Sequence, residues 1–368
     1  MSGEIEVVYR VRADPEQIAG RAEALLLEQT VELPRSCLGT AFVRDHVVGR
    51  VVEVTQAGAD TWRVTIAQPE ATAAGDPAQL LNVLCGNSSL QEDIELEDVR
   101  VPLRLGRELG GPRFGIAGLR RVTGVAGRAL TATALKPMGL SVVEIAELCR
   151  TFALGGIDVI KDDHGLADHS FCPFADRVRS CLAATEDVAQ SMGRRAVYVP
   201  NLIGTPATVR RQAEQARELG AQAVMVSPML VGLAFLNELV RNLGLPVLAH
   251  PAFGGAQRVA PEALFGRLFP LFGADAVIFP NSGGRFSYSA ETCQAVARNL
   301  RNPLPPANPA LPVPAGGIKA ASAGKVLGDY GSDVMLLVGG SLLEPSGSPL
   351  VERCRQFVGA VHSFPYES

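Results

Sequence analysis

The sequence contains no run of about 18 consecutive apolar residues, the length that a membrane-spanning helix needs. Its N-terminus, MSGEIEVVYRV, has no basic region followed by an apolar stretch, so it does not look like a secretory signal. Basic residues are not in excess, because 34 Lys and Arg stand against 38 Asp and Glu, and this balance argues against nucleic acid as the main partner. We therefore expect a soluble, cytoplasmic protein that binds neither membranes nor nucleic acid.

Cysteines are few, and none has the CxxC spacing of a metal or redox site: seven are scattered over the chain. We expect most of them to be reduced thiols that pack as small hydrophobic side chains. What the sequence does have is apolar material, since 47% of its 368 residues are hydrophobic and 20% are charged. A large packed core is therefore expected, in a chain longer than one typical domain.

The first third of the chain has short β-like runs that alternate irregularly with helical stretches. The runs are residues 5–11, 46–56 and 61–69, and the helical stretches lie around 15–28 and 78–84. This pattern predicts an α+β domain built on an antiparallel sheet. A loop rich in Gly and Pro, residues 106–115, follows. We place the domain boundary there, with an N-terminal domain over 1–115 and a second domain over 116–368.

After residue 115 the chain becomes periodic, because short apolar runs recur and most are followed by a stretch with helical spacing. The eight runs are residues 130–136, 157–163, 196–202, 223–228, 246–251, 276–281, 312–317 and 334–340. Near-continuous apolar strands are typical of a parallel sheet covered by helices. Eight such units in about 250 residues match a (β/α)₈ barrel. A doubly wound open sheet is the alternative, but no switch point in the strand order is evident.

Active sites of such barrels lie at the carboxyl ends of the strands, and the sequence KDDH at 161–164 stands at one of them. Lys161 and Asp163 are two residues apart, so both point to the barrel mouth, and we expect an ion pair between them. The alternative is a purely structural Lys–Asp bridge beside a surface Asp162. Lys136 ends the first strand, and repulsion between the two lysines favours a neutral form of at least one. Lys136 could instead extend from a loop into solvent.

Glycine pairs end the seventh and eighth strands: Gly316 and Gly317, then Gly339 and Gly340. These two strand ends are the usual phosphate site of a (β/α)₈ barrel, where backbone N–H groups hold the anion. Each pair alone could be a tight turn. Together they predict one phosphate-binding site.

Several motifs resemble the large subunit of ribulose-bisphosphate carboxylase (RuBisCO). They are LLNVLCGN, ALKPMGLS, GGIDVIKDDH, PVPAGGIKA and LLVGGSL, in the order of that family and over nearly the whole chain. The resemblance implies that Lys161 adds CO₂ to form a carbamate, which ligates Mg²⁺ together with Asp163. Oxygen ligands of this kind suit Mg²⁺.

The same resemblance implies roles for residues outside the metal site. Lys136 matches the lysine that moves protons on the substrate, and His250 matches the histidine at the end of strand 5. Glu28 and Asn87 match N-domain residues that reach across a homodimer into the partner's active site. The two glycine pairs match the backbone phosphate cradle.

The sequence departs from the carboxylases at several of these positions. The third metal ligand of the family is a glutamate, and here His164 takes its place; a nitrogen ligand weakens the preference for Mg²⁺ and admits Mn²⁺. The alternative for His164 is a loop histidine that touches no metal. Pro251 replaces an arginine that grips a second phosphate, Met138 replaces a lysine, and Ala315 replaces a serine. The resemblance is therefore to the RuBisCO-like proteins (form IV), which are not carboxylases.

The chain looks most similar to the branch that isomerises 5-methylthioribulose 1-phosphate to 1-methylthioxylulose 5-phosphate in sulfur salvage, through an enediolate. Pro251, Phe253 and Phe279 suggest that the far end of the substrate is apolar, although such phenylalanines commonly only pack. Three alternatives stay open: an enolase of 2,3-diketo-5-methylthiopentyl 1-phosphate, a decarboxylase or hydrolase of a phosphorylated oxo-sugar acid, and a catalytically silent binding protein.

Overall fold

A computed structural model describes residues 3–286, 288–344 and 347–366. In its first hundred residues, alternation of buried and solvent-facing side chains builds an antiparallel sheet. Strand β1 buries Ile5, Val7, Tyr9 and Val11 on one face and turns the residues between them outward. The sheet has the order β2-β3-β1-β4, with β1 at Glu4–Arg12, β2 at Arg50–Gln56, β3 at Thr61–Pro69 and β4 at Ile94–Arg100.

Strand β4 was not predicted, because four of the seven residues in IELEDVR are charged and mask its apolar alternation. On the solvent side of the sheet, charged residues of β4 form ion pairs with other strands. Glu97 accepts hydrogen bonds from Arg10 on β1 at 3.0 Å and from Arg63 on β3 at 2.8 Å. Opposite charges on neighbouring strands contribute modestly to pairing.

Four helices accompany this sheet: α1 (Ile18–Thr30), α2 (Ala41–His46), α3 (Pro77–Cys85) and α4 (Leu103–Leu109). Asp76 caps α3 by accepting hydrogen bonds from the backbone N–H groups of Ala78 and Gln79. The loop predicted from residue 106 is wrong at its start, since α4 continues to Leu109. Gly106 serves close packing rather than a turn, because a Cβ there would lie 2.6 Å from the carbonyl oxygen of Pro305. The boundary between 115 and 116 stays a prediction.

The predicted barrel is confirmed. Its strands form one parallel sheet in which the first and last members are halves of a single strand that is interrupted at Pro200, so the sheet closes on itself. The strands are β5 (Leu130–Leu135), β6 (Val159–Asp162), β7 (Val197–Val199), β8 (Asn201–Leu202), β9 (Val224–Val226), β10 (Val247–Ala249), β11 (Ala276–Pro280), β12 (Leu311–Ala315) and β13 (Met335–Val338).

Helices cover the outside of the barrel, and several begin at side-chain caps. Ser141 and Glu144 form a capping box at α6, and Thr205 and Ser289 cap α8 and α13. The helices are α5 (Gly115–Thr123), α6 (Val142–Leu154), α7 (Phe174–Met192), α8 (Pro206–Glu218), α9 (Pro228–Val231), α10 (Leu233–Leu243), α11 (Pro261–Ala263), α12 (Phe269–Leu271), α13 (Ala290–Arg301), α14 (Ala323–Tyr330), α15 (Gly340–Leu343) and α16 (Leu350–His362).

The core has two parts, as a closed barrel requires. One fills the barrel interior with side chains such as Leu130, Val159, Val199 and Met225, and the other lies between the strands and the helices. In the described part of the chain, no helix is long and apolar enough to cross a membrane. All seven cysteines have free thiols, and five of them are buried.

Candidate active site

The carboxyl ends of the barrel strands, called the mouth from here on, collect the polar residues expected there. Lys136 follows directly after β5, and Lys161 stands opposite Ala134 in the parallel register of β5 with β6. Asp163 and His164 follow β6, and His250 follows β10. Parallel strands that close into a barrel present all these ends on one face.

Asp163 lies at the centre of the charged group in the mouth. Its Oδ2 pairs with Lys136 Nζ at 3.0 Å, and its Oδ1 lies 2.8 Å from His164 Nδ1. Burial alone would raise the pKa of this carboxyl, but the contacts with His164 and Lys136 outweigh burial and hold the pKa well below its usual range. Asp163 is therefore ionised at neutral pH.

Lys161 is nearly inaccessible, with 3% of its surface exposed. The ion pair predicted with Asp163 is wrong, because Lys136 takes the carboxylate and Lys161 Nζ instead donates to the carbonyl oxygen of Asp162 at 2.9 Å. Burial lowers the pKa of Lys161 to about 8. The charge of Asp163 raises this pKa, and the charge of Lys136 lowers it. A fraction of this amine is therefore neutral near physiological pH, mainly because of burial, and the repulsion from Lys136 expected from the sequence adds to the effect.

His250 stacks face to face on His164, with 4.2 Å between ring centroids and 10° between ring planes. Burial lowers the pKa of His250 to about 2, with a further contribution from Lys161. The ring is therefore neutral, and its Nδ1 accepts a hydrogen bond from the N–H of Ala252 at 3.1 Å. The proton of His250 then resides on Nε2, which is available as a donor.

Asp162 is completely buried, so the alternative interpretation, which placed Asp162 at the surface, is wrong on this point. Since 161 and 163 face the mouth, 162 must face outward into the helix layer, where its charge needs partners. Arg177 of α7, Tyr198 of β7 and the backbone N–H of Asn201 supply them. Sequence reasoning missed these residues, although an aspartate at an outward, helix-covered position was a signal that partners had to exist.

The predicted phosphate glycines form two turns at the mouth. Gly316 and Gly317 both have positive φ, of 91° and 73°, and Gly339 precedes α15, which begins at Gly340. Ser341 Oγ joins the two turns by donating to the carbonyl of Ile318 at 2.9 Å. The loop after β11 lies directly on the first turn, because a Cβ on Gly317 would come within 2.8 Å of Gly284 Cα.

Glu28 and Asn87, 59 residues apart in sequence, meet in the first domain. Asn87 Nδ2 donates to Glu28 Oε1 at 2.9 Å, on a partly exposed surface. Within the described residues, neither side chain makes a hydrogen bond or ion pair with the mouth of its own barrel. The pair is thus assembled, and its predicted role in a partner's site stays a prediction.

Two buried oxygens near the mouth have no hydrogen-bond partner among the described residues: Asn201 Oδ1 and Ser227 Oγ, at the ends of the third and fourth strands. Buried polar atoms are seldom left unsatisfied in folded proteins.

The apolar residues differ from expectation. Phe279 is wholly buried and packs edge-on against Tyr330 of α14, so it faces the helix layer and not a substrate. Phe253 is exposed and has a φ of 66°, the left-handed region that disfavours large side chains.

The described residues contain no group of three or more His, Cys, Asp or Glu side chains close enough to hold a metal ion. Of the three predicted metal ligands, two belong to these residue types: Asp163 and His164. The third member of the predicted set is Lys161, which as a free amine offers one nitrogen donor and as a carbamate would offer oxygen.

Comparison with known proteins identifies the family. Residues 115–257 match the model of the ribulose bisphosphate carboxylase large chain, catalytic domain. The chain is 46% identical to ribulose bisphosphate carboxylase-like protein 1 of Rhodopseudomonas palustris over 99% of both chains. It is 45% identical to a 5-methylthioribulose-1-phosphate isomerase of Rhodospirillum rubrum, over 98% of this chain and 97% of the relative.

A more distant relative carries a different activity. The 2,3-diketo-5-methylthiopentyl-1-phosphate enolase of Geobacillus thermodenitrificans is 34% identical over 76% of this chain and 70% of its own. Among solved structures, the Rubisco-like protein of Rhodopseudomonas palustris superposes with a TM-score of 0.91 over the whole of both chains, at 43% identity. Together with the barrel and the strand-end residues, these similarities show that the chain belongs to the RuBisCO-like proteins of the ribulose-bisphosphate carboxylase large-chain family.

Proposed function

We propose that this protein is a metal-dependent isomerase that converts 5-methylthioribulose 1-phosphate to 1-methylthioxylulose 5-phosphate through an enediolate. The observation that carries the proposal is the cluster of two lysines, an ionised carboxylate and two stacked histidines at the barrel mouth. The relative from Rhodospirillum rubrum, similar over nearly its full length, supports the choice of substrate.

The reaction moves a carbonyl along a carbon chain by successive proton transfers. Lys136 is the candidate base and acid, since its Nζ lies 3.0 Å from Asp163 Oδ2 and its side chain remains partly open to solvent. His250 offers its Nε2–H to an oxygen of the enediolate, because a neutral imidazole whose Nδ1 already accepts a hydrogen bond is fixed as a donor. Both groups act on the atoms where charge develops.

Mg²⁺ or Mn²⁺ fits the donor set once Lys161 carries a carbamate. Lys161, Asp163 and His164 would then hold the ion by two oxygen-bearing groups and one nitrogen, and the bound ion would polarise the substrate carbonyl. The partly neutral amine of Lys161 suits this modification, since only a neutral amine adds CO₂. The unsatisfied oxygens of Asn201 and Ser227 are further polar groups for ligand or water.

The remaining parts of the proposal concern the rest of the substrate and the assembly. The turns at Gly316–Gly317 and Gly339–Gly340 would bind the single phosphate through backbone N–H groups. Glu28 and Asn87 would complete the site of a partner subunit in a homodimer, because they are paired on a partly exposed surface and, within the described residues, make no hydrogen bond with their own mouth.

The test is to incubate the purified protein with 5-methylthioribulose 1-phosphate in D₂O, with Mg²⁺ and bicarbonate, and to follow the products by NMR. We expect 1-methylthioxylulose 5-phosphate with deuterium at the carbons that exchange protons. An unchanged substrate spectrum would overturn the proposal.

An enolase acting on 2,3-diketo-5-methylthiopentyl 1-phosphate is the second candidate, favoured by the relative from Geobacillus thermodenitrificans. It needs the same base, metal and phosphate site. The two activities are separated by offering each substrate alone: turnover of the diketone without turnover of the ketose would replace the isomerase by the enolase.

A further inference from the structure

We propose that Asp162, Arg177 and Asn201 are positioning residues that act from behind the barrel wall and hold Asp163 and His164 in place. With Tyr198 they form one buried group, called the Asp162 cluster. This inference rests on the proposed function only in that it takes Asp163 and His164 as working groups of the site. Its argument is geometric and starts from the aspartate.

The carboxylate of Asp162 is held from three directions. Arg177 Nε donates to Oδ2 at 3.0 Å, the N–H of Asn201 donates to the same oxygen at 3.0 Å, and Tyr198 Oη donates to Oδ1 at 2.7 Å. On the other side of the strand, the carbonyl of Asp162 accepts from Lys161 Nζ. Asp162, the residue between Lys161 and Asp163, is therefore held both through its carboxylate and through its backbone carbonyl.

The partners of Asp162 also hold the loop that follows it. Asn201 Nδ2 donates to the carbonyls of His164 at 3.0 Å and Leu166 at 3.1 Å. Arg177 Nη1 donates to the carbonyls of Ala167 at 3.0 Å and Cys172 at 2.9 Å. Four backbone carbonyls between 164 and 172 thus accept from the side chains of two residues, and both residues also donate to the Asp162 carboxylate, Arg177 through its side chain and Asn201 through its backbone N–H.

A buried ion pair of this kind is weak evidence for stability. Removing two charges from water is costly, and apolar residues of similar volume often stabilise a protein as well or better. Arg177 and Asp162 are both fully buried, and Arg177 Nη2 has no hydrogen-bond partner in the part of the chain that the structure describes. A fixed geometry for the loop that carries Asp163 and His164 accounts for retaining such an arrangement.

The chain contains a matched control at the opposite end of the same strand. Asp158, just before β6, pairs with Arg128 at 2.8 Å and Arg194 at 3.0 Å, and accepts from the N–H and Oγ1 of Thr131. In this Asp158 cluster the aspartate is buried and its two arginines are partly exposed, and its hydrogen bonds reach no residue of the 163–172 loop in the described structure.

Histidine side chains report on each end separately, because the sequence has only five: His46, His164, His169, His250 and His362. His164 and His250 stack at the mouth. His362 lies near the other cluster: burial lowers its pKa, and the charges of Arg128, Asp158 and Arg194 also act on it. His46 lies in the first domain and contacts Phe42.

The experiment compares Asp162→Asn with Asp158→Asn in the full-length protein labelled with ¹³C at the histidine rings. No metal, CO₂ or substrate is added. We expect Asp162→Asn to shift the signals of His164 and His250 and to abolish the cross-relaxation between the two rings, while His362 and His46 stay unchanged. Asp158→Asn should move His362 and leave the mouth histidines unchanged. Assignments come from replacing each histidine in turn.

Unchanged His164 and His250 signals in a folded Asp162→Asn protein would overturn the inference and leave the cluster with a purely structural role. Tyr198→Phe serves if Asp162→Asn does not fold, because it removes one of three hydrogen bonds to the carboxylate and should shift the same signals less. With an active wild type, kcat should fall about 10²-fold in Asp162→Asn, the effect of misplacing a reacting group by about 1 Å. If the wild type is inactive on the substrate but the histidine signals of Asp162→Asn still differ from those of the wild type as expected, the proposed reaction is rejected and the positioning role stands.

Discussion

The two ends of the barrel strands treat buried polar groups differently. At the amino end, Asp275 accepts three hydrogen bonds from the backbone N–H groups of Phe114, Gly115 and Val247, at 2.7, 2.7 and 3.0 Å. Asp158 is paired just as fully. At the mouth, as far as the structure describes the chain, Lys161 hydrogen-bonds only to a backbone carbonyl, and Asn201 Oδ1 and Ser227 Oγ have no hydrogen-bond partner. The aspartates at the amino end thus find all their hydrogen-bond partners within the protein, whereas some polar groups at the mouth are left for a ligand. We therefore expect the amino ends of the strands to serve stability and the carboxyl ends to serve chemistry.

Lys136→Met at the mouth is expected to have the largest effect on turnover, which would sharpen the contrast between the two strand ends. Loss of the proton-transfer group should lower turnover by about 10²- to 10⁴-fold, the usual contribution of general acid–base catalysis. The measurement is exchange of substrate deuterium in D₂O. Lys319→Met, which alters an exposed lysine, is the control. A Lys136→Met protein with wild-type exchange would remove Lys136 from the mechanism.

The opposite result is expected for Asp275→Ala at the amino end. Three buried N–H donors lose their acceptor, and each such loss costs about 1–3 kcal/mol, so the free energy of unfolding should fall by roughly 3 kcal/mol or more. Denaturant unfolding measures this loss, with the exposed Asp329→Ala as the control. Turnover of the folded fraction should stay at the wild-type value. A loss of turnover without a loss of stability would break the comparison.

The pH dependence of carbamate formation tests the buried amine. With a pKa of about 8, the neutral fraction of Lys161 rises from ~10% at pH 7 to ~90% at pH 9. We therefore expect the ¹³C NMR carbamate signal, at constant dissolved ¹³CO₂, to grow over this range because only the neutral amine reacts. The signal should vanish in Lys161→Met. The sequence has just two lysines outside the site, Lys319 and Lys325, so interference is small. A carbamate signal that persists in Lys161→Met would assign the modification elsewhere.

The smallest effect concerns Phe253 in its left-handed conformation. Phe253→Gly should raise the free energy of unfolding by about 1 kcal/mol, since glycine adopts this conformation without the cost that a side chain incurs. Phe253→Ala keeps that cost and removes the ring. If the ring binds the methylthio end, both variants should raise KM for the substrate equally, whereas only the glycine variant gains stability. An unchanged KM in both would leave Phe253 without a role in binding.

Much of this architecture was predictable, because barrel strands are short apolar runs and their carboxyl ends follow from the topology. Lys136, Lys161, Asp163, His164 and His250 could be placed together for that reason. Their pairing could not, because which lysine reaches Asp163 depends on side-chain reach and burial rather than on spacing. The Asp162 cluster escaped since its members come from a helix and the next strand. Strand β4 escaped because its charged residues outnumber its apolar ones.

The contact between Gly317 and Gly284 couples the loops that follow the sixth and seventh barrel strands. A methyl group on Gly317 would lie 2.8 Å from Gly284 Cα, so one of the two loops would have to shift. A methyl group on Gly284 would lie 3.1 Å from the Gly316 carbonyl carbon, which requires an adjustment of a few tenths of an ångström. The effects of substitutions at the two positions therefore depend on each other. A redesign of the loop after the sixth strand of this protein has to include the turn after the seventh.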